Sequence, residues 1–179
     1  DIYGGYAAGG KTTGNTVNIG DGSHALSAGT SIAGTIYGGN QADVKDNTLN
    51  VKTNATAGNI AGFAKIKFEL NGSLNRAQPM LRLTNGAATT GLDWAGVEAA
   101  PMPSHVTVKT YEPYQLTLMH NSAGLNFVQG GKDTYAPIGA KERVQGDLEF
   151  VIDTDSHAAQ ARSVYLSGYQ FQNNTGAAY

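Results

Sequence analysis

Apolar and polar residues alternate with period two in several short segments. Three apolar residues alternate with three charged ones in Lys65-Ile66-Lys67-Phe68-Glu69-Leu70. Such a segment forms a β-strand with one buried and one exposed face. The same alternation occurs at 15–19 and 47–51. Further strands are predicted at 80–84, 105–110, 115–119, 125–128, 146–153 and 163–171. The pattern therefore predicts an all-β fold.

A repeated sequence spans the first part of the chain. Ile2-Tyr3-Gly4-Gly5 returns as Ile36-Tyr37-Gly38-Gly39, and the strand at 15–19 returns at 47–51 after a slightly shorter interval. Five apolar residues follow one another at nearly even intervals, namely Ile2, Ile19, Ile36, Val51 and Phe68. This spacing indicates successive half-coils or coils of a repeat structure.

Repeats of this size favour a parallel β-solenoid. Each unit is too small to bury an apolar face alone, so neighbouring units stack on one another and share a core. We expect the repeat-bearing coils in residues 1–75, and in residues 76–179 a continuation of the solenoid or a less regular C-terminal cap within the same structural unit. The alternative is an antiparallel β-sandwich, whose hairpins follow one another at short, regular spacing without a repeated sequence.

Composition narrows the class of protein. The 179 residues include 24 Gly, and only 15% are charged, against roughly 25% in average proteins. Gly disfavours helices, which argues against an all-α fold. A net charge of −2 provides no basic surplus, so a nucleic-acid or anionic-membrane role is not expected. Direct membrane insertion is not expected either, because no apolar run approaches the roughly 20 residues that a spanning helix needs. The absence of Cys excludes disulfides, thiolate metal sites and Cys nucleophiles.

One segment matches the sequence pattern of a phosphate-binding loop, but the residues after it do not fit such a loop. Gly5-Tyr6-Ala7-Ala8-Gly9-Gly10-Lys11-Thr12 fits the pattern G-x-x-x-x-G-K-[ST]. A functional loop of this kind is followed by a helix whose N-terminus faces the phosphates. Here the next residues are Gly, Asn and β-branched types, which favour a strand. We therefore interpret the match as a coincidence in a Gly-rich repeat.

The residues with catalytic or metal-binding potential form no known motif. The four His residues have no partner at metal-ligand spacing, and Ser104 and His105 would point to opposite faces of a strand. Asp153 and Asp155 share a face if the strand continues, but a solvated pair is the simpler interpretation. We therefore assign no catalytic, cofactor-binding or metal-binding residue, and expect no enzyme activity and no cofactor.

Aromatic side chains are the remaining candidates for a binding surface. Exposed Tyr and Trp can stack on sugars or anchor a protein partner. Tyr111 and Tyr114 flank Glu-Pro in a predicted loop, and with Trp94 they are the candidate partner contacts. Tyr3 and Tyr37 occupy the same repeat position, which favours a role in packing one coil on the next.

The repeats at 2–19 and 36–51 resemble those in passenger regions of autotransporter surface proteins of Gram-negative bacteria. The stretch at 146–155, followed by Val164-Tyr165-Leu166-Ser167-Gly168, is similar to the C-terminal end of such passengers. The resemblance implies a right-handed parallel β-helix that is exported and displayed on, or released from, the cell surface. It also implies an outer-membrane barrel that these 179 residues do not contain, so we expect a fragment of a longer chain.

These features together predict a monomeric, surface-exposed adhesin segment. Its expected role is non-catalytic, in adhesion to a host or neighbouring-cell protein or glycan, or in structural display. The alternative is a β-helix protein that binds or degrades polysaccharides, as a lyase or hydrolase. A cluster of carboxylates with Arg or Lys on one coil face would favour the enzyme, and no such cluster stands at repeated positions in the sequence.

Overall fold

The computed structural model describes residues 1–27, 29–40, 46–101, 114–128, 142–144, 148–156 and 160–170. Within these residues the secondary structure is almost entirely β, with a single 3₁₀ turn at Trp94–Gly96. The strands are β1 Ile2–Tyr3, β2 Thr16–Ile19, β3 Ile32–Tyr37, β4 Thr48–Val51, β5 Ala55–Ala61, β6 Lys65–Glu69, β7 Leu81–Leu83, β8 Thr89–Asp93, β9 Val97–Ala100, β10 Tyr114–Val128, β11 Glu142–Val144, β12 Leu148–Thr154 and β13 Gln160–Gln170. The predicted strand at 105–110 lies outside the described residues.

From β1 to β7 the chain alternates between two sheets; β8 then lies in the first sheet, β9 in the second, and β10 to β13 in the first. The first sheet has the order β1-β3-β5-β7-β10-β13-β12-β11, with β8 also paired to β10, and the second has the order β2-β4-β6-β9. All pairs from β1 to β10 are parallel, whereas β10, β13, β12 and β11 pair antiparallel. The all-β prediction is confirmed, with parallel sheets. An antiparallel sandwich does not describe residues 2–128, because no described strand pair there is antiparallel.

The sequence repeats lie side by side in the sheets. Ile2 pairs with Ile36 in the first sheet, and Thr16 pairs with Thr48 in the second. The step from each repeated sequence to its second copy therefore takes the chain from one sheet through the other and back to a neighbouring strand. We call this path one circuit. The nearly even intervals between the five apolar residues do not all correspond to the same structural step. Val51 and Phe68 pair directly on neighbouring strands of the second sheet. This last step is a full circuit, whereas the earlier steps cross from one sheet to the other.

The core lies between the inward faces of both sheets. The predicted inward residues Leu49, Val51, Ile66 and Phe68 are buried, while Val17 and Leu70 are half-buried and pack against the same cluster. Strands before and after position 75 share both sheets, since β5 pairs with β7 and β6 pairs with β9.

A corner built from Asn and Gly recurs in successive circuits. Asn15 Nδ2 donates to the carbonyl of Gly38 (3.0 Å), and Asn47 Nδ2 donates to the carbonyl of Gly62 (3.1 Å). Asn47 Oδ1 also accepts from the backbone N–H and the side-chain Nδ2 of Asn15 (3.0 and 3.1 Å). Side chains therefore satisfy backbone groups at the points where the chain leaves one sheet for the other.

Candidate functional site

Two of the three predicted aromatic contacts, Trp94 and Tyr114, are buried. Trp94 is only 1% exposed, and its ring meets Phe127 edge-on with centroids 5.0 Å apart. Asp93 accepts from the N–H of Ala95, which begins the 3₁₀ turn that carries Trp94. The expectation that Trp94 contacts a partner is wrong, because this turn places the indole in the core.

Tyr114 is also buried, at 8% exposure. Its ring packs edge-on against Phe150 with centroids 5.6 Å apart, and the Arg76 guanidinium lies 4.0 Å from its centroid. Burial raises the pKa of the Tyr114 hydroxyl, against the opposing charge of Arg76. Tyr114 is therefore a packing residue, and its predicted role as a partner contact is wrong. Tyr111 lies outside the described residues.

The repeated tyrosines pack one circuit on the next, in line with the expectation for them. Tyr3 and Tyr37 stack with centroids 4.9 Å apart and an interplanar angle of 8°. Tyr6 lies edge-on to Tyr3 and is 74% exposed. Parallel pairing of β1 on β3 places the two repeat positions directly opposite each other, which produces the stack.

The segment that resembles a phosphate-binding loop has a different role. Thr12 Oγ1 donates to the carbonyl of Gly5 (3.3 Å) and also lies 3.2 Å from Asn40 Oδ1. The segment is followed by strand β2 and not by a helix. The hydroxyl that would bind Mg²⁺ in a nucleotide site instead ties the first circuit to the second, as expected for a coincidental match.

A groove of about 560 Å³ lies where the loop after β2 meets the loop between β6 and β7. We call it the corner groove. Its lining residues are mostly small or polar and uncharged, with a few apolar ones. They are Ala25, Leu26, Ser27, Gly29, Thr30, Thr53, Asn54, Ala55, Thr56, Ser73, Asn75, Gln78, Pro79 and Arg82.

Asn54 holds one wall of the corner groove in place. Its Nδ2 lies within hydrogen-bond distance of the carbonyls of Asn75 (3.0 Å), Gln78 (3.2 Å) and Pro79 (3.0 Å), and its Oδ1 accepts from the N–H of Asn75 (2.7 Å). Asn54 directly precedes β5, so the loop is attached to the end of a paired strand. Hydrogen bonds thus hold this wall of the groove in place.

Among the described residues, Arg82 is the only charged one that lines the corner groove. It occupies the outward position of β7, where it pairs with Thr56 on one side and His120 on the other. Its Nη2 makes one long hydrogen bond of 3.5 Å to Gln78 Oε1. Sequence reasoning missed this site because its walls come from separate loops. The only local signal was an outward cation in Leu81-Arg82-Leu83.

His120 and Ser163 meet next to Arg82 on the outer face of the first sheet. His120 Nδ1 lies 2.8 Å from Ser163 Oγ. Desolvation, and secondarily the charge of Arg82, lower the pKa of His120, although Asp155 opposes this effect. Asp155 Oδ1 accepts from the N–H groups of Arg162 and Ser163 (3.0 and 3.3 Å). Within the described residues no carboxylate bonds to His120, so the pair lacks the third member of a catalytic triad.

The outer face of the second sheet brings together charges that the sequence did not reveal as a cluster. Lys52 pairs with Glu69 (3.6 Å), and Lys67 pairs with Glu98 (3.9 Å). Beside them, Asn50 Nδ2 donates to Asn18 Oδ1 (2.9 Å). All four charged side chains are partly exposed and each has a partner of opposite sign. This is a solvated ion-paired surface, which contributes little to stability.

The described residues contain neither a metal-ligand cluster nor a membrane-spanning helix. In the described part of the chain, no group of three or more His, Asp or Glu residues could hold a metal ion. No helix among the described residues is long and apolar enough to cross a membrane. Comparison with family models, curated proteins and solved structures finds no match for the chain.

Proposed function

We propose that this chain is a non-catalytic, surface-exposed segment of a passenger protein, acting in adhesion or structural display outside the cell. In this proposal strands β1 to β10 form a right-handed parallel β-solenoid, and strands β11 to β13 form a C-terminal cap. Its partner is a protein or glycan of a host or neighbouring cell.

The observation that carries the proposal is the in-register stacking of repeated sequences on neighbouring parallel strands. Ile2-Tyr3 lies on Ile36-Tyr37, and the four residues of β2 lie on those of β4. A chain that alternates between two parallel sheets grows by adding circuits, and each circuit presents the same outer positions. This architecture suits a stiff scaffold that carries loops away from an anchoring surface. The resemblance to passenger repeats supports the location outside the cell.

The arrangement of polar groups favours a role without turnover. The lysines and carboxylates on the second sheet neutralise each other, and the His120–Ser163 pair has no orienting carboxylate among the described residues. The second sheet carries two carboxyl groups, Glu69 and Glu98, but each is paired with a lysine on a partly exposed face, whereas glycoside cleavage requires two carboxyl groups that flank the sugar.

Beads coated with the full chain test the proposal. We expect them to adhere to cultured epithelial cells or to a glycan array several-fold more than beads coated with a Phe68→Asp variant, which should not fold. Polysaccharides incubated with the chain should release no new reducing ends. Beads that bind no cells, no other beads and no glycan would refute the adhesive role. Digestion by protease as fast as the unfolded variant would refute the display role, and release of reducing ends would refute a non-catalytic segment.

A second candidate function is polysaccharide binding without cleavage. The specific observation in its favour is the corner groove, which is lined by hydroxyl and amide groups and has one wall fixed by the hydrogen bonds of Asn54. The glycan array and the reducing-end assay distinguish this function from both adhesion to protein and catalysis.

A further inference from the structure

We infer that the corner groove binds an acidic oligosaccharide, with the guanidinium of Arg82 holding a sugar carboxylate. The inference rests on the proposed function only in requiring that the groove is exposed to an extracellular ligand. It adds a site, a ligand class and an anchoring residue.

The charge distribution favours an anion. Arg82 is the one charged residue among the described residues that line the groove, and no described carboxylate forms an ion pair with it. A guanidinium carries five N–H donors in a planar fork that matches a carboxylate, and Arg82 uses one of them in a long bond to Gln78. Asp21, an acid of the adjoining loop, does not line the groove and is hydrogen-bonded to His24 (2.7 Å).

The remaining lining suits a sugar. Asn75 and Gln78 bring amide groups, and Ser27, Thr30 and Thr56 bring hydroxyl groups, all of which can pair with sugar hydroxyls. Leu26 and Pro79 provide apolar surface for the C–H faces of a ring. The volume of about 560 Å³ falls within the usual range of small-ligand sites, roughly 300–1,000 Å³.

The strand pairing argues against an acidic peptide as the ligand. A peptide that adds to a sheet gains affinity from main-chain hydrogen bonds to an open strand edge. The strands beneath the groove are β5 and β7, and each is already paired on both edges, in the order β3-β5-β7-β10. A peptide could therefore use side-chain contacts only, whereas a sugar uses hydroxyl groups distributed around its whole ring.

Titration calorimetry on the full chain tests the inference with three probes: tetragalacturonate, its methyl ester and a tetraglutamate peptide. We expect tetragalacturonate to bind with a Kd below about 1 mM and the uncharged ester at least about tenfold more weakly. Arg82→Gln should weaken tetragalacturonate binding about 10- to 100-fold. The control Arg162→Gln removes a charge from an exposed side chain that does not line the groove and should leave binding unchanged.

A second pair of variants keeps the test independent of Arg82. Leu26 is 39% exposed at the groove, so Leu26→Glu should repel the anion, and Leu26→Gln is the uncharged control of similar size. Circular dichroism confirms that each variant is folded. Absence of tetragalacturonate binding, equal affinity for the ester, or no effect of Arg82→Gln would overturn the inference. Equally tight binding of tetraglutamate would instead assign the groove to acidic peptides.

The same experiment separates this inference from the proposed function. If wild-type beads adhere to cells but the chain binds none of the three probes, the groove assignment is refuted and the adhesive role is retained. Binding of tetragalacturonate by a chain whose beads adhere to nothing would refute adhesion and leave the groove assignment standing.

Discussion

Replacing Asn47 with Ala tests whether the Asn corner stabilises the stacking of circuits. Asn47 is fully buried, and its side chain satisfies the carbonyl of Gly62 and the backbone N–H of Asn15. Asn47→Ala leaves both groups without this partner. Since an unsatisfied buried group costs about 1–3 kcal/mol, we expect the free energy of unfolding to fall by about 2–4 kcal/mol.

Asn50 provides a control in strand β4, which begins directly after Asn47. It is also an Asn that reaches the preceding circuit, but its bond to Asn18 lies on the exposed face. Water can replace that bond, so Asn50→Ala should cost about 0.5 kcal/mol. The contrast compares a buried, multiply bonded Asn with an exposed, singly bonded one, with residue type and change kept the same.

Urea unfolding followed by fluorescence of Trp94 measures both variants. Trp94 is the single tryptophan of the chain and is buried, so its emission reports loss of the core. We expect Asn47→Ala to lower the denaturation midpoint at an unchanged slope, and to lower the Tm by about 2–4 °C for each kcal/mol lost. Equal destabilisation by the two variants, or a loss below about 1 kcal/mol for Asn47→Ala, would refute the structural role of the buried corner.

Three further predictions concern the core, the circuit spacing and pH. Phe68→Ala should lower the free energy of unfolding by about 3–5 kcal/mol in urea titrations, because it empties a buried aromatic site. Gly38→Ala should cost about 1–3 kcal/mol in the same assay, because an added Cβ would lie 2.8 Å from Asn47 Cβ and would also collide with the next circuit. Desolvation lowers the pKa of His120 below 6.5, so the folded state binds this proton less readily than the unfolded state. Stability should therefore fall as pH decreases from about 6.5 through the folded-state pKa, and His120→Gln should reduce that fall in thermal melts at about pH 7 and pH 5.

The first two of these have a control on the same molecule. Lys67→Ala changes the exposed neighbour of Phe68 and should cost within about 0.5 kcal/mol. Gly9→Ala adds a Cβ in open space and should be nearly neutral. A Phe68→Ala variant as stable as Lys67→Ala would show that the buried face of β6 is misassigned. Parallel pH profiles for the wild type and His120→Gln would show that His120 does not contribute to the pH dependence.

Much of the strand pattern follows from local alternation. In β6, period two alone places Ile66 and Phe68 inside and the lysines outside, as observed. β5 was missed because it is composed mainly of Ala, Gly and Asn, which have low strand propensity. Its small residues are required by packing, since a Cβ on Gly58 would collide with carbonyls of Ala33 and Gly34 on the neighbouring strand.

The candidate site was the least predictable part. Trp94 and Tyr114 have the chemistry of surface contacts, but both complete the core. The corner groove joins the end of β5 to two loops that lie apart in the sequence. Side-chain type indicates what a residue can bind, whereas its exposure depends on which strands and loops pack over it.

The sequence by itself determined the β class, the inward face of each alternating strand and the register between repeats, because strand period and repeated sequences are local properties. The tertiary structure decided the number of residues in each circuit. The circuit from Ile2 to Ile36 contains far more residues than the one from Val51 to Phe68. Loop-closure entropy changes slowly with loop length, so circuits of unequal length can stack on one another. The long loops that result form the corner groove and leave Arg82 at its wall.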